Sequence, residues 1–368
     1  EHRAFRDVCR RFAEQEIAPL VTQAETSGTY PRELIKKAAK NGLVGLTAPE
    51  SLGGAGASLW LQCIMIEECS RICAGLCTGL TGLGQRLLPE MGTPGQIERY
   101  LVPTIRGEKV SAFAMTEPGA GSDVLSMNGK AVREGNGWRI TANKLYITGA
   151  PMSDYMIVVV YTDRDARRKG LSLFLVDSDT AGIEIQKMDK LGHLSMETGS
   201  VFFDCWVPAE ALLGEENHGM EYVMSVLEEG RITHAARSLG VARAAYEAAV
   251  EYAGMRKTFG KAINQYQAIQ MKLSQMLIDI TSASLHVYSA AERYDAGQSA
   301  EVEASMAKVV ASETAVSVSD QAMRIFAGVG YINDAPVQRF FRDARLYPIT
   351  EGTTEIQLRT IARAAKLI

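Results

Sequence analysis

The residues Leu346-Tyr347-Pro348-Ile349-Thr350-Glu351-Gly352-Thr353-Thr354-Glu355-Ile356-Gln357 have types and spacing that can do chemistry. Pro348 donates no backbone hydrogen bond and biases Tyr347 away from helix. Gly352 permits a sharp turn or a close approach to another molecule. Thr354-Glu355-Ile356-Gln357 has capping-box spacing and opens a helix running toward Ile368. Glu351 is therefore expected in a short, stiff turn just ahead of a helix N-terminus. A carboxylate held there can act as a general base. It can also simply complement the helix dipole, worth roughly 0.3–1 kcal/mol, and these residues alone favour that plainer role.

A second stretch, Phe113-Ala114-Met115-Thr116-Glu117-Pro118-Gly119-Ala120-Gly121-Ser122-Asp123, follows an apolar run. Its glycines and hydroxyls leave backbone N–H groups free to meet a flat or anionic ligand. Taken alone it also reads as an ordinary long turn. Gly-rich Pro49 to Gly56 lacks the preceding strand and the spacing of a dinucleotide fingerprint, and reads as a turn.

Three blocks of structure must position these stretches. Residues 1–108 read as helical. Phe5, Val8, Phe12 and Ile17 recur at near-helical spacing and Pro19 should end that segment. Pro31 opens a second helix closed by Gly42, and Pro94 to Leu101 reads as a short one. Trp60 to Cys73 is apolar nearly all round, as a buried helix would be. Gly75, Gly79, Gly82 and Gly84 mark either a close-approach or pocket segment, or a loosely packed helical connection.

In residues 109–212 the period shortens. Val110–Met115, Trp138–Ala142, Lys144–Thr148, Tyr155–Tyr161, Leu171–Val176, Ile183–Ile185 and Ser200–Phe203 predict seven strands in a small antiparallel barrel or sandwich. Residues 213–368 carry long apolar stripes over Met220–Arg256, Gln265–Ala296 and Ala300–Ala327, the pattern of a helical bundle. The class is α+β, mostly α.

The 368 residues are 46% hydrophobic and 22% charged with a net charge of −4, so a sizeable core is available and no basic face invites nucleic acid. No apolar run has membrane-span length, and the charged opening Glu1 to Arg6 is unlike a signal peptide. Six cysteines fit a reducing compartment. Cys69, Cys73 and Cys77 share a helix face, but no complementary ligands suggest a metal there.

Four motifs in order make the chain resemble the acyl-CoA dehydrogenase family over essentially its whole length. They are Met115–Asp123, Arg256-Lys257-Thr258-Phe259-Gly260, Phe326-Ala327-Gly328-Val329-Gly330-Tyr331 and Glu351-Gly352-Thr353. The resemblance implies a helical domain, a β domain and a four-helix bundle. It implies that Glu351 is the catalytic base and that FAD is the cofactor. Phe113, Met115, Thr116, Gly121 and Ser122 then lie along the isoalloxazine, with Tyr146 to Thr148 as the second flavin-facing strand. Arg256, Thr258, Phe259 and Gln267, with Arg324 to Gly328, would reach the adenosine diphosphate of a neighbouring subunit's FAD. Thr353 and Glu355 follow the base, and Ser122, Glu228, Arg231 and Gly352 would touch substrate.

The implied reaction is α,β-dehydrogenation of an acyl-CoA thioester to the trans-2-enoyl-CoA, with the β-hydride passing to flavin N5. The Glu351 N–H would stabilise the developing enolate and burial would raise the Glu351 pKa. Electrons would pass to an electron-transfer flavoprotein. The resemblance also implies a homotetramer, a dimer of dimers, in a bacterial cytoplasm or a mitochondrial matrix. Substrate on a carrier protein, an oxidase, and a flavin-free scaffold are the competing readings.

Departures from the family pattern lie at Arg324 (usually Gln), Ala327 (usually Gly), Thr350 (commonly Tyr), Leu194 (often Arg) and Tyr146 (usually Trp). Some relatives carry the base at the position of Gly230, which cannot serve here. His193, His218, His234 and His286 match no catalytic position and read as structural.

Overall fold

The structure, a computed structural model, describes residues 2–82 and 84–367; Glu1, Leu83 and Ile368 lie outside it. Helix α1 (His2–Phe12) continues through Ala13–Ile17 and a tight turn, Ala18–Leu20, into α2 (Val21–Ser27). Pro19 sits at the opening of that turn, where a missing N–H costs little, so it tightens the helical path without ending it. After α3 (Glu33–Lys40) comes α4 (Leu59–Thr78), capped by Ser58 and broken from helical geometry at Cys73. A Cβ on Gly75 would fall 2.2 Å from Ser195 Oγ, and one on Gly79 2.3 Å from the Tyr30 ring. These two glycines therefore serve close approach rather than a pocket. Helices α5 (Gly84–Met91), α6 (Pro94–Gln96) and α7 (Val102–Ile105) complete this part.

The middle of the chain is one eight-stranded sheet. Its strands are β1 (Ser111–Ala114), β2 (Lys130–Glu134), β3 (Gly137–Thr148), β4 (Tyr155–Tyr161), β5 (Leu171–Asp177), β6 (Ile183–Lys187), β7 (Thr198–Pro208) and β8 (Leu212–Leu213). They run in the order β6-β7-β3-β2-β4-β5-β8, with β1 beside β4.

This differs from the sequence expectation in three ways. The runs at 138–142 and 144–148 are a single strand with a register shift between Lys144 and Ile147. β2 and β8 are additional; β2 is short and charged, which hides its period. β4 pairs in parallel with β1 and with β2, so the sheet is not purely antiparallel, and no hydrogen-bonded closure joins its ends among the described residues. It still encloses a core: Met156, Val158 and Val160 share it with Ile140, Val201 and Phe203, and the Trp138 ring meets Phe174 edge-on at 5.3 Å. The alternate side of β4, Tyr155, Ile157 and Val159, packs with Leu87, Leu88 and Leu101 of the helices. Burial on both faces explains the unbroken apolar run of β4.

Helix α8 (Gly219–Met255), a hairpin of β9 (Lys257–Thr258) and β10 (Lys261–Ala262), then α9 (Gln267–Asp295), α10 (Glu301–Phe326), α11 (Pro336–Ala344) and α12 (Thr354–Ala364) follow. Small faces let α8 and α10 pack closely. α4 joins them, so residues such as Ile64 and Cys69 share one core with Leu239, Ala242 and Ala311. All six cysteines are free and buried, and no metal-binding group occurs among the described residues. No described helix is long and apolar enough to cross a membrane.

One buried ion pair ties the Met115–Asp123 motif to the sheet. Lys144 Nζ donates to Glu117 Oε1 (2.8 Å) and to the carbonyls of Met115 (3.0 Å) and Val159 (2.6 Å). Glu117 in turn accepts from the N–H groups of Asn128 (2.6 Å) and Gly129 (3.0 Å). Burial lowers the Lys144 ammonium to about 8 against the pull of Glu117. Lys144→Met strands the Glu117 carboxylate and should cost about 3–5 kcal/mol, read from the denaturation midpoint. Replacing both partners with apolar residues should recover most of that loss.

Candidate active site

Tyr347 is fully buried between two histidine rings, edge-on to His193 at 5.5 Å and to His234 at 5.0 Å. From this anchor the chain turns through Pro348 to Gly352. Glu351 takes φ 55° and Gly352 φ 82°. Gly352 takes this geometry at no steric cost, whereas for Glu351 it is strain that surrounding contacts must hold.

Three contacts do so. Gln357 Nε2 donates to the carbonyls of Glu351 (2.9 Å) and Gly352 (3.2 Å), Lys308 Nζ donates to Gly352 O (2.8 Å), and the Thr354 N–H reaches Pro348 O (2.9 Å). The helix cap is Thr353, whose hydroxyl accepts from the Ile356 N–H; this moves the expected cap one residue earlier. Gln357 consequently faces the turn and does not close a capping box. The Glu351 N–H has no partner among the described residues.

The Glu351 carboxyl is surrounded by cations. Burial pushes it above the ordinary carboxylate range, opposed by Arg237 first, then Arg231 and Lys308. Arg231, His234 and Arg237 recur every three residues along α8, and all three are buried. His234 Nε2 lies 3.0 Å from Thr350 Oγ1, so the departure at Thr350 has a partner in this chain. Burial holds His234 well below its usual pKa, as it does His193 at about 3, so both rings stay neutral. Burial also lowers Lys308, to about 8, against the pull of Glu351, Glu313 and Glu355.

Sequence reading missed Arg237 and Lys308 and read His234 only as structural. For α8, the basic residue types Arg231, His234 and Arg237 at three-residue spacing on a helix otherwise rich in alanine were the available signal.

The two stretches assigned to a flat ligand come together. The Thr116 carbonyl accepts from the Leu145 N–H (2.8 Å), placing Met115 and Thr116 beside Tyr146. Tyr146 sits at the register shift of β3 with φ 60°, and its ring is 62% exposed. A Cβ added to Gly121 would meet nothing within 4 Å, so no internal packing claims that space. Phe113 is half-buried, whereas Ser122 and Thr148 are exposed. These residues fit a flavin ring: an aromatic free to cover it, an open glycine turn and exposed hydroxyls.

A separate group forms where Tyr252 of α8 stacks on Phe326 of α10 at 4.1 Å. This brings Arg256 to Phe259 near Arg324 to Gly328. Arg256, Gln267, Arg324 and Gly328 are exposed, Thr258 is half-buried, and Phe259 is 98% exposed with φ 49°. Arg324 pairs with Asp320 (2.7 Å). Ala327 adopts φ 53°, ψ −134°, a region natural to the glycine that relatives carry.

Of the other sequence candidates, Thr353 is half-buried just ahead of α12 and Glu355 is exposed in its first turn. Glu228 accepts from the Ala300 N–H (2.5 Å), which caps α10, and Glu229 pairs with Arg86 (2.9 Å).

Models of the acyl-CoA dehydrogenase N-terminal, middle and C-terminal domains match residues 1–108, 112–205 and 217–366. The chain belongs to the acyl-CoA dehydrogenase family. It is 42% identical to a 3-(aryl)acrylate reductase of Clostridium sporogenes, over 98% of this chain and 97% of that one. The structure of butyryl-CoA dehydrogenase from Megasphaera elsdenii superposes with a TM-score of 0.95 at 35% identity, covering 99% and 98% of the two chains. A chain from work on the electron transferring flavoprotein of Acidaminococcus fermentans superposes with a TM-score of 0.96 at 33% identity, covering 99% and 97%. The family consists of flavin-dependent oxidoreductases, and this enzyme catalyses dehydrogenation of that type.

Lys308 favours the charged form of Glu351, so its removal must raise the Glu351 pKa further. Lys308→Met should therefore move the acidic limb of the kcat/KM profile to higher pH. It should also lower turnover at neutral pH about tenfold, the size of one lost hydrogen bond to a charged donor. Lys308→Gln keeps a donor for Gly352 O and should regain turnover without restoring the limb.

Proposed function

We propose that Glu351 removes the α-proton of an acyl-CoA thioester, giving the trans-2-enoyl-CoA. The observation that carries this reading is the Glu351 turn: a carboxyl raised by burial, fixed by Gln357 and Lys308, with its own N–H unpartnered. That N–H is available to bind the thioester oxygen, stabilising negative charge as it develops. Arg231, Arg237 and Lys308 keep enough of the base ionised while burial strengthens it. Family-type FAD, when bound, supplies the acceptor for the β-hydride.

Met115, Thr116, Gly121 and Tyr146 would hold the flavin ring. Arg256, Phe259, Gln267, Arg324 and Gly328 would hold an adenosine diphosphate. Their exposure on a separate surface supports their serving the FAD of a neighbouring subunit, within a homotetramer. Ser122, Arg231 and Gly352 would meet the substrate. The likeness to chains of butyryl-CoA dehydrogenase and of electron-transferring flavoprotein work supports a CoA thioester substrate and an electron-transfer flavoprotein as the acceptor.

Glu351→Gln should retain flavin and lose about 10²–10⁴-fold in turnover, measured as anaerobic flavin bleaching by a thioester panel. Turnover near that of the native enzyme would remove Glu351 from the mechanism. Arg256→Ala should lower flavin occupancy after purification; unchanged occupancy would free this arginine from the cofactor.

A further inference from the structure

We propose that Arg237 is the receptor for a second carboxylate carried by the acyl group, so that the thioester dehydrogenated is that of a dicarboxylic acid. The inference rests on the dehydrogenase reading and specifies its substrate. Arg237 is only 9% exposed, yet no carboxylate oxygen lies within 4.0 Å of it among the described residues. Its guanidinium donates to Thr81 Oγ1, 2.9 Å from Nη2, and lies against the Cys77 thiol, while Nε is buried with no partner. A guanidinium taken out of water without a counter-ion is costly, and a charged ligand removes that cost.

The position places such a ligand at the acyl end of the site. Arg237 stands three residues after His234 on α8, and His234 reaches Thr350, the residue before Glu351, at 3.0 Å. Its charge acts on the Glu351 carboxyl. Thr81, in the segment after α4, accepts from its guanidinium. Tyr347 adds a buried hydroxyl without a partner, itself under the influence of Arg237. These donors suit a carboxylate and suit a hydrocarbon tail poorly. Arg231 likewise has no carboxylate within 4.0 Å among the described residues, but Glu301, Glu351 and Glu228 all act on it. Glu351 cannot serve as the permanent partner of Arg237, because it must take up a proton in each turnover. The remaining acidic neighbour is the Cys77 thiol, on which Arg237 also acts. In the reaction the second carboxylate is bound and left unchanged.

The test compares flavin bleaching in the holoenzyme by glutaryl-CoA and adipyl-CoA with bleaching by their neutral isosteres, 5-methylhexanoyl-CoA and 6-methylheptanoyl-CoA. The native enzyme should favour a carboxylated member by at least about tenfold in kcat/KM. Arg237→Leu should lower kcat/KM for that member about 100-fold, as loss of a buried charge partner does, and reverse the preference. Arg237→Lys should keep the ranking. An inert thioether analogue of the favoured compound should bind Arg237→Leu at least tenfold more weakly.

Ligand-free Arg237→Leu should melt at or above the native temperature. A lower melting temperature with unchanged preference would show a structural role and overturn the proposal. Cys77→Ala should keep the preference; its loss there would assign the guanidinium to the thiol. Native bleaching by the neutral thioesters alone overturns this inference and leaves the dehydrogenase reading standing. Bleaching by neither class overturns both.

Discussion

The active-site architecture depends on a backbone conformation that glutamate does not adopt unaided. Glu351 sits at φ 55°, and that geometry persists because the carbonyls on both sides of its linkage to Gly352 are gripped by Gln357 and Lys308. The grip is asymmetric. Gln357 belongs to α12 and moves with the turn, whereas Lys308 belongs to α10 and ties the turn to the bundle. Tyr347, seated between His193 of the β part and His234 of α8, fixes the other end. Three separate parts of the chain thus converge on one carboxylate.

The same pattern recurs around the site. Among the described residues eight non-glycine positions have positive φ, and five of them, Tyr146, His193, Phe259, Ala327 and Glu351, lie in segments that the proposed mechanism uses or in segments that support these. Left-handed backbone costs of order 1–3 kcal/mol at such residues and survives where the surroundings over-determine it. At Tyr146 the register shift in β3 turns the ring outward, away from the alternation a regular strand would impose. At Ala327 a side chain occupies backbone geometry that favours glycine, so the same kind of strain is held there.

What the sequence made legible follows from how local each signal was. The Glu351 turn was readable because Pro348 and Gly352 punctuate it within five residues. The Met115–Asp123 loop was readable for the same reason, although its anchor was not: Lys144 is a polar residue in the middle of β3, and Asn143 just before it made one strand look like two. The parallel pairings of β4 depend on which strands meet across long separations, which no local pattern encodes. Pro19 misled because a proline that opens a tight turn resembles one that ends a helix. The stripe of Arg231, His234 and Arg237 was hidden by its setting. A helix buried on nearly all sides shows no polar face against which three charged or polar positions would stand out. Lys308 was obscured in the same way among the small residues of α10.

Those hidden groups decide the electrostatics. A base for a weakly acidic α-proton needs a raised pKa, which burial supplies, yet it must be ionised when substrate arrives, which requires cations. Arg237, Arg231 and Lys308 answer that second need from two helices. The three are not equivalent. Lys308 is itself lowered to about 8 by burial, so its charge is conditional, and Arg231 is shared with Glu301 and Glu228. Arg237 has no carboxylate within 4.0 Å among the described residues, and its other acidic neighbour is the Cys77 thiol. A fold that needed only to tune Glu351 could have placed that charge at the rim, in water, at lower cost. Its burial beside Thr81 and near the unpartnered Tyr347 hydroxyl is what the proposed carboxylate receptor explains.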